Sequence, residues 1–458
     1  MLSASGKFLE KVAGAPADVL EKTIDTSKKI SGIFVSRKQI NQAKDYWKTL
    51  GPGLTTGAAD DDPSGITTYS QAGAQYGFNL LWLAPYTFPL MAIVQEMCAR
   101  IGLVTGRGLA ANIRQYCPKW VLYIATMLLF TANTLNIGAD LGAMTKATQL
   151  LLPHLSFETL ILGFTVLTLA LQIFTTYEKY AKYLKWLALV LLSYVFSALT
   201  VNINWGEVLQ KSVIPTIVFS KDQIFLITGI LGTTISPYLF FWQTSQEVEE
   251  QILGGKNTLK LRQEETTPAE IKNMRTDVWS GMFLSNLVMF FIIAATAATL
   301  FTHGITNITT AAQAAEALRP IAGEQTYLLF ALGIIGTGML AVPILAGSAS
   351  YALSECFGWK FGLYRKLREA NAFYGVIIIS TGIGLVINFL GLDPIKALIY
   401  SAVFNGLIAP VILILIVFLS GNSKIMGRWV NGKITTFFGW LIVTLMTLAG
   451  VATIISLF

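Results

Sequence analysis

Charge is scarce in this chain: Asp, Glu, Lys and Arg make up 13% of its 458 residues, while 53% are hydrophobic. With a mean hydropathy of +0.59, that excludes an ordinary water-soluble domain and defines a polytopic membrane protein. Cysteine is sparse too. Cys98, Cys117 and Cys356 show no CxxC spacing, so neither a disulfide framework nor a thiolate metal site is expected, and each reads as a small apolar residue. His154 and His303 are the only two histidines and fall near separate outer loops, which excludes a histidine metal cluster or catalytic dyad. Walker, nucleophile-elbow and HExxH sequences are missing as well. These absences point away from an enzyme and from a bound cofactor.

What the chain has instead is apolar length. A hydrocarbon core of about 30 Å needs about 20 helical residues per crossing. Eleven runs meet that need, at roughly 51–75, 78–104, 118–150, 153–176, 181–203, 222–250, 275–303, 324–352, 371–391, 394–420 and 432–458. They are continuously apolar rather than alternating, which favours helices over a barrel. The expected fold class is an all-α polytopic membrane protein with about eleven transmembrane helices.

The basic residues orient these spans. With the N-terminus in the cytoplasm, 28 of the 33 Lys and Arg fall inside, leaving Lys146, Lys211, Lys221, Arg319 and Lys396. One alternating topology thus satisfies the positive-inside rule. It also accounts for the net charge of +7, so neither a nucleic-acid partner nor an obligate protein partner is inferred. Residues 1–46 place Lys7, Lys11, Lys22, Lys28 and Lys29 among Phe8, Leu9, Val12, Ile30 and Phe34, without the compact apolar core of a signal peptide. They read either as an amphipathic cytoplasmic tail on anionic lipid or as a disordered one. Short tails and the lack of eukaryotic targeting signals suggest a bacterial inner (plasma) membrane. The polar stretch 251–275 falls midway along the chain, on the inside, and reads as a connector between two halves.

One segment breaks the apolar pattern at a high cost. Residues 54–68, LTTGAADDDPSGITT, put Asp60, Asp61 and Asp62 in the middle of the first span. An aspartate at a helix centre costs about 2.5–3.5 kcal/mol on insertion scales, so carboxylates kept there point to a cation or a proton. Pro63 lacks an amide hydrogen and biases Asp62 toward extended backbone, which frees the carbonyl near Ala59. In the sixth span, GTTISPY at 232–238 places Pro237 to free Thr233 in the same way. Freed carbonyls and half-helix C-termini attract cations, and irregular backbone at depth is tolerated where it lines a cavity or polar site. A carboxylate facing two broken backbones makes a cage for a hard cation. Successive helical residues lie about 100° apart, so at most one or two of these acids face one site. Asp62, beside the break, is the first candidate; Asp60 and Asp61 either bond neighbouring helices or line the access path. The plainer alternative is two ordinary proline kinks, with the aspartates capping a helix end near water.

Together with SNLVMFFIIAATAATLF and ALGIIGTGMLAVPILAGSASYALSECFGW, the DPSG of span 1 and the TISPY of span 6 resemble the NRAMP family of divalent-metal transporters over about residues 47–458. The resemblance implies a LeuT-type fold, with two inverted five-helix repeats, broken helices 1 and 6, and a midplane site. On that plan 47–203 form repeat 1, 204–420 repeat 2 and 421–458 an additional span. Where the family's pattern has DPGN and MPH, Asp62 and Pro63 match, but Gly65 stands at the asparagine, Ser236 at the methionine and Tyr238 at the histidine. Loss of the thioether leaves oxygen ligands suited to Mg²⁺ or Mn²⁺, and Gly65 and Ser236 are expected to leave room for an ion that keeps several waters. The pattern is similar to the NRAMP-related magnesium transporters, a divergent branch. The implied metal set is Asp62, Ala59, Ser236, Thr233 and Gly65. In span 3, NIGADLGAMTKATQLL, Asp140 matches the family's acidic position, while Ala143 replaces the glutamate of the proton route. That favours facilitated transport over proton symport; the alternative for Asp140 is a structural acid paired with Lys146.

Further positions carry weaker signals. Gln243, Gln246 and Glu247 follow the span 6 break inward and are candidates for an inner vestibule, with Glu249 and Glu250 at the solvated end. Asn405 is a candidate oxygen donor in an occluded state, and Thr234 and Tyr238 flank the break. Asn286 reads as an interhelical hydrogen bond, and the Gly and Ala repeats of spans 3, 8 and 9 as close packing. The expected function is a secondary transporter or facilitator moving a hard divalent cation, Mg²⁺ ahead of Mn²⁺, into the cell by alternating access. A carrier of a non-metal solute on the same fold and a non-transporting sensor are the other readings. An anionic solute calls for an unpaired cation near the break, and a sensor for a large soluble domain.

Overall fold

The computed structural model describes residues 46–218, 220–264, 266–306, 308, 324–391 and 394–457. The expected tail up to residue 45, Arg319 and the side chain of Lys396 lie outside the described residues. The chain divides into two compact units, Met1–Gly51 and Pro52–Phe458. In the first, residues 46–49 form one helical turn. In the second, every regular element among the described residues is helical.

In chain order the helices are α1 (Pro52–Asp60), α2 (Pro63–Tyr76), α3 (Leu83–Thr105), α4 (Leu109–Tyr116), α5 (Lys119–Leu151), α6 (Phe157–Phe174), α7 (Tyr177–Leu187), α8 (Leu192–Leu199) and α9 (Trp205–Val213). They continue with α10 (Lys221–Thr234), α11 (Pro237–Leu253), α12 (Leu259–Glu264), α13 (Pro268–Thr299), α14 (Glu324–Phe357), α15 (Asn371–Ile387), α16 (Pro394–Ser420), α17 (Ser423–Met426) and α18 (Lys433–Leu457). Among the described residues eight helical stretches are long and apolar enough to cross a membrane: α3, α5, α6, α10 with α11, α13, α14, α16 and α18. The other three apolar runs fall short for local reasons. The first is cut at Asp61 and Asp62 into α1 and α2, and the fifth is divided into α7, a 3₁₀ turn at Ala188–Leu191 and α8. The run at 371–391 yields α15, a helix of 17 residues.

Helix starts follow capping chemistry. Ser156, Ser220 and Thr267 each accept a backbone amide from the first turn they precede, and Thr267 forms a capping box with Glu270. The start of α1 is capped from another helix: Gly53 and Leu54 amides donate to Asp277 of α13 at 2.7 and 3.0 Å. The same two helices touch backbone to backbone. A Cβ added at Gly57 would fall 2.2 Å from the Gly281 carbonyl oxygen, so this crossing requires glycine on both helices. α5 packs against α14, α15 and α16, and α10 against α16. Close Gly138–Gly384 approach between α5 and α15 bears out the packing role of small residues. Asn286 accepts a hydrogen bond from Thr87 of α3 at 2.9 Å, the interhelical role expected of it.

Candidate functional site

Both breaks form where a residue in extended conformation precedes a proline at the first position of a half-helix. Asp62 (φ −66°, ψ 169°) precedes α2, and Ser236 (φ −87°, ψ 130°) precedes α11. Proline suits the first turn because its missing amide hydrogen has no intrahelical partner there, and its ring disfavours helical backbone in the residue before it. Two helix C-termini and two helix N-termini therefore converge on buried backbone. Asp60, Asp61, Asp62, Thr233, Ser236 and Tyr238 are all at most 2% exposed.

The three aspartates diverge. Asp62 caps α2: its Oδ1 accepts from the Gly65 amide at 2.7 Å and the Ser64 hydroxyl at 2.6 Å. Its Oδ2 accepts from Asn136 Nδ2 of α5 at 2.7 Å, and Asn136 Oδ1 accepts from Ser401 Oγ of α16 at 2.6 Å. A carboxylate offers about four lone-pair sites, so Oδ2 retains one lone pair that no hydrogen bond uses. Asp60 Oδ2 accepts from Ser285 of α13 at 2.7 Å, while its Oδ1 has no hydrogen-bond partner. Neither oxygen of Asp61 or of Asp140 has one. Asp140 lies within the electrostatic reach of Asp62. The ammonium of Lys146 lies 4.9 Å from the centre of the Phe157 ring instead of pairing with Asp140.

The backbone oxygens are covered in this conformation. The Ala59 carbonyl accepts the Tyr238 hydroxyl at 2.6 Å, and the Ser236 hydroxyl donates back to the Gly232 carbonyl at 2.9 Å. The expectation of open space beside Gly65 is not met. A Cβ there would sit 2.9 Å from Thr233 Oγ1 and 3.2 Å from the Asp60 carbonyl oxygen, because the two breaks pack directly together. Among the described residues, no three His, Cys, Asp or Glu side chains are arranged to hold a metal ion. Any ion taken here would combine carboxylate, carbonyl and hydroxyl oxygens.

The remaining candidates separate into two groups. Tyr238 belongs to the centre, within reach of Asp60, Asp62 and Asp140. Asn405 lies one helical turn beyond Ser401 on the same face of α16, with its Oδ1 unpartnered. Gln243 and Glu247 lie farther along α11: Gln243 Nε2 donates to Glu247 Oε1 at 2.9 Å, and the charged neighbours of Glu247 are Asp277 and Glu250. Glu249, expected at a solvated end, is buried, because it accepts the Leu363 and Tyr364 amides at 2.8 and 3.1 Å. Sequence reasoning missed Asn136, Ser285 and Ser401. Asn136 had a usable signal, since it precedes Asp140 by one turn and shares its helix face.

This arrangement defines a class: a helical membrane protein built around two broken helices, with a LeuT-like fold. Structural comparison agrees. Mhp1, a nucleobase-cation-symport-1 family transporter, aligns with a TM-score of 0.51 at 14% identity, covering 89% of this chain and 91% of that one. The Eremococcus coleocola manganese transporter aligns with a TM-score of 0.67 at 18% identity, covering 93% and 89%. Residues 53–456 match the model of the natural resistance-associated macrophage protein-like (Nramp) family, and the chain belongs to that family. Relatives named divalent metal cation transporter MntH include one from Klebsiella pneumoniae, 27% identical over 402 residues, covering 87% of this chain and 91% of its own. One from Aeromonas hydrophila is 25% identical over 408 residues, covering 87% and 93%.

Proposed function

We propose that this chain moves a hard divalent cation, Mg²⁺ ahead of Mn²⁺, into the cell by alternating access and without proton coupling. The charge of the buried centre carries this reading. Asp60, Asp61, Asp62 and Asp140 are buried, whereas Arg100, the only basic residue buried among the described residues, is engaged by Glu96 and Asn431. Taking carboxylates out of water costs on the order of several kcal/mol each unless charge is compensated, and an arriving divalent cation supplies that compensation. The same imbalance disfavours an anionic solute. Family membership supports transport rather than catalysis, and the relatives named for divalent-metal and manganese transport support the substrate class.

In this reading the ion meets the open position on Asp62 Oδ2, and Tyr238 turns away to release the Ala59 carbonyl. Thr233, Ser236 and the backbone at Gly65 complete an oxygen-rich shell, with Asp60, Asp61 and Asp140 along the access path. Gln243, Glu247 and Asn405 act as secondary contacts. A potential of 100 mV supplies about 4.6 kcal/mol for a double charge, at about 2.3 kcal/mol per charge, so no proton gradient is required. Eleven crossings, an inside N-terminus and two inverted five-helix repeats belong to the same proposal, as does a bacterial plasma membrane. The matched breaks support it, as does the fact that a single alternating topology gathers 28 of the 33 Lys and Arg on one side.

Mn²⁺ has an observation of its own. A Cβ added at Gly338 would lie 2.3 Å from Met144 Sδ and 3.3 Å from Pro63 Cγ, so a soft thioether borders the first break. The deciding experiment is uptake into proteoliposomes with an internal Mg²⁺ indicator at fixed potential, followed by competition with Mn²⁺. Saturable Mg²⁺ influx that Asp62→Ala abolishes is the expected result. Influx unchanged in that variant would remove Asp62 from the site, and no flux of either ion from folded protein would overturn the substrate class. Ser236→Met should shift competition toward Mn²⁺ and Cd²⁺; an unchanged profile would refute the argument from ligand hardness.

A further inference from the structure

We propose that a basic groove between the start of α13 and the segment joining α16 to α18 binds the headgroup of an anionic phospholipid. The groove has a volume of about 830 Å³, and Arg100, Lys272, Arg275, Arg428 and Lys433 line it without any acidic lining residue. Glu96, just behind it, pairs with Arg275 at 2.8 Å and Arg100 at 3.8 Å. Lys272 and Lys433 have no carboxylate within ion-pair distance among the described residues. Arg428 donates to the Thr266 carbonyl at 3.0 Å and lies over the Trp429 ring. Three sequence-distant segments thus bring five cations around one cavity. Topology alone explains basic residues on this side but not their convergence.

The adjoining surface selects a lipid over a free anion. Ile434 is 74% exposed and Phe437 64% exposed, and at a spacing of three they share a strip of α18 that leads away from the groove. An acyl chain can lie along that strip while its phosphate sits among the cations. Trp429 provides the amphipathic ring typical of a membrane interface, and basic pockets between helices on the cytoplasmic side are suited to anionic headgroups.

The test titrates the full chain, purified in neutral detergent, with dioleoyl phosphatidylglycerol, dioleoyl phosphatidylcholine or inorganic phosphate. Native mass spectrometry counts bound lipid, and thermal melting is followed in parallel. Phosphatidylglycerol should be retained and raise the melting temperature, whereas phosphatidylcholine and phosphate should do neither. Lys272→Gln combined with Lys433→Gln should weaken that binding about thirtyfold, from the contribution of two interfacial cations. Lys360→Gln combined with Lys366→Gln, exposed and outside the groove, should leave it unchanged. All four side chains are exposed, so each variant should melt like the parent without lipid. Equal retention of the two lipids, equal weakening by both double variants, or an equal shift from phosphate alone would overturn the proposal.

Discussion

The Asp62 carboxylate receives three hydrogen bonds, and only one of them comes from outside its own segment. Ser64 and Gly65 hold Oδ1, whereas Asn136, 74 residues away, holds Oδ2. A hydrogen bond to a charged group contributes about 1.5–3 kcal/mol. Asn136→Leu should therefore raise the half-saturating ion concentration by about tenfold to a hundredfold, provided that Asn136 orients the oxygen that meets the ion. Uptake kinetics with maximal rate and half-saturation separated would check this, with Ser401→Ala giving a smaller change of the same sign. Unaltered kinetics would mean that Ser64 and Gly65 suffice to orient Asp62. Asp60 was legible as a buried acid, but its bond to Ser285 spans 225 residues and has no local signature.

At the scale of the element, the two breaks were readable because proline acts on its immediate neighbours. The closeness of their packing was not. Gly65 reads in sequence as added room, yet Thr233 fills the space, since the positions of α2 and α10 are set by their other neighbours as well. The α1–α13 crossing makes a sharper test. Gly57→Val would drive side-chain atoms into the Gly281 backbone, and overpacking costs typically about 1–3 kcal/mol. A lower melting temperature is expected, together with reduced uptake; a parent-like melting curve would mean that α1 can move away from α13 without loss.

For the whole molecule, orientation can be tested directly. In a Cys117→Ser background, Asn257→Cys should react only with a permeant maleimide in intact cells, and Leu155→Cys also with an impermeant one. Cys98 and Cys356 are buried and should stay silent. The opposite labelling pattern would invert the topology, and with it the leaflet that holds the basic groove, whereas the direction of flux, set by the potential, would not change.

Composition and local covalent geometry let the sequence determine the membrane class, the approximate extent of the apolar runs and the positions of both breaks. These properties depend on neighbouring residues and on the solvent, so they can be read along the chain. Tertiary structure alone decided which oxygens stay open. Tyr238 covers the Ala59 carbonyl across 179 residues, and Ser401 braces Asn136 across 265. Such bonds depend on how distant helices pack in space, which neither periodicity nor residue type specifies.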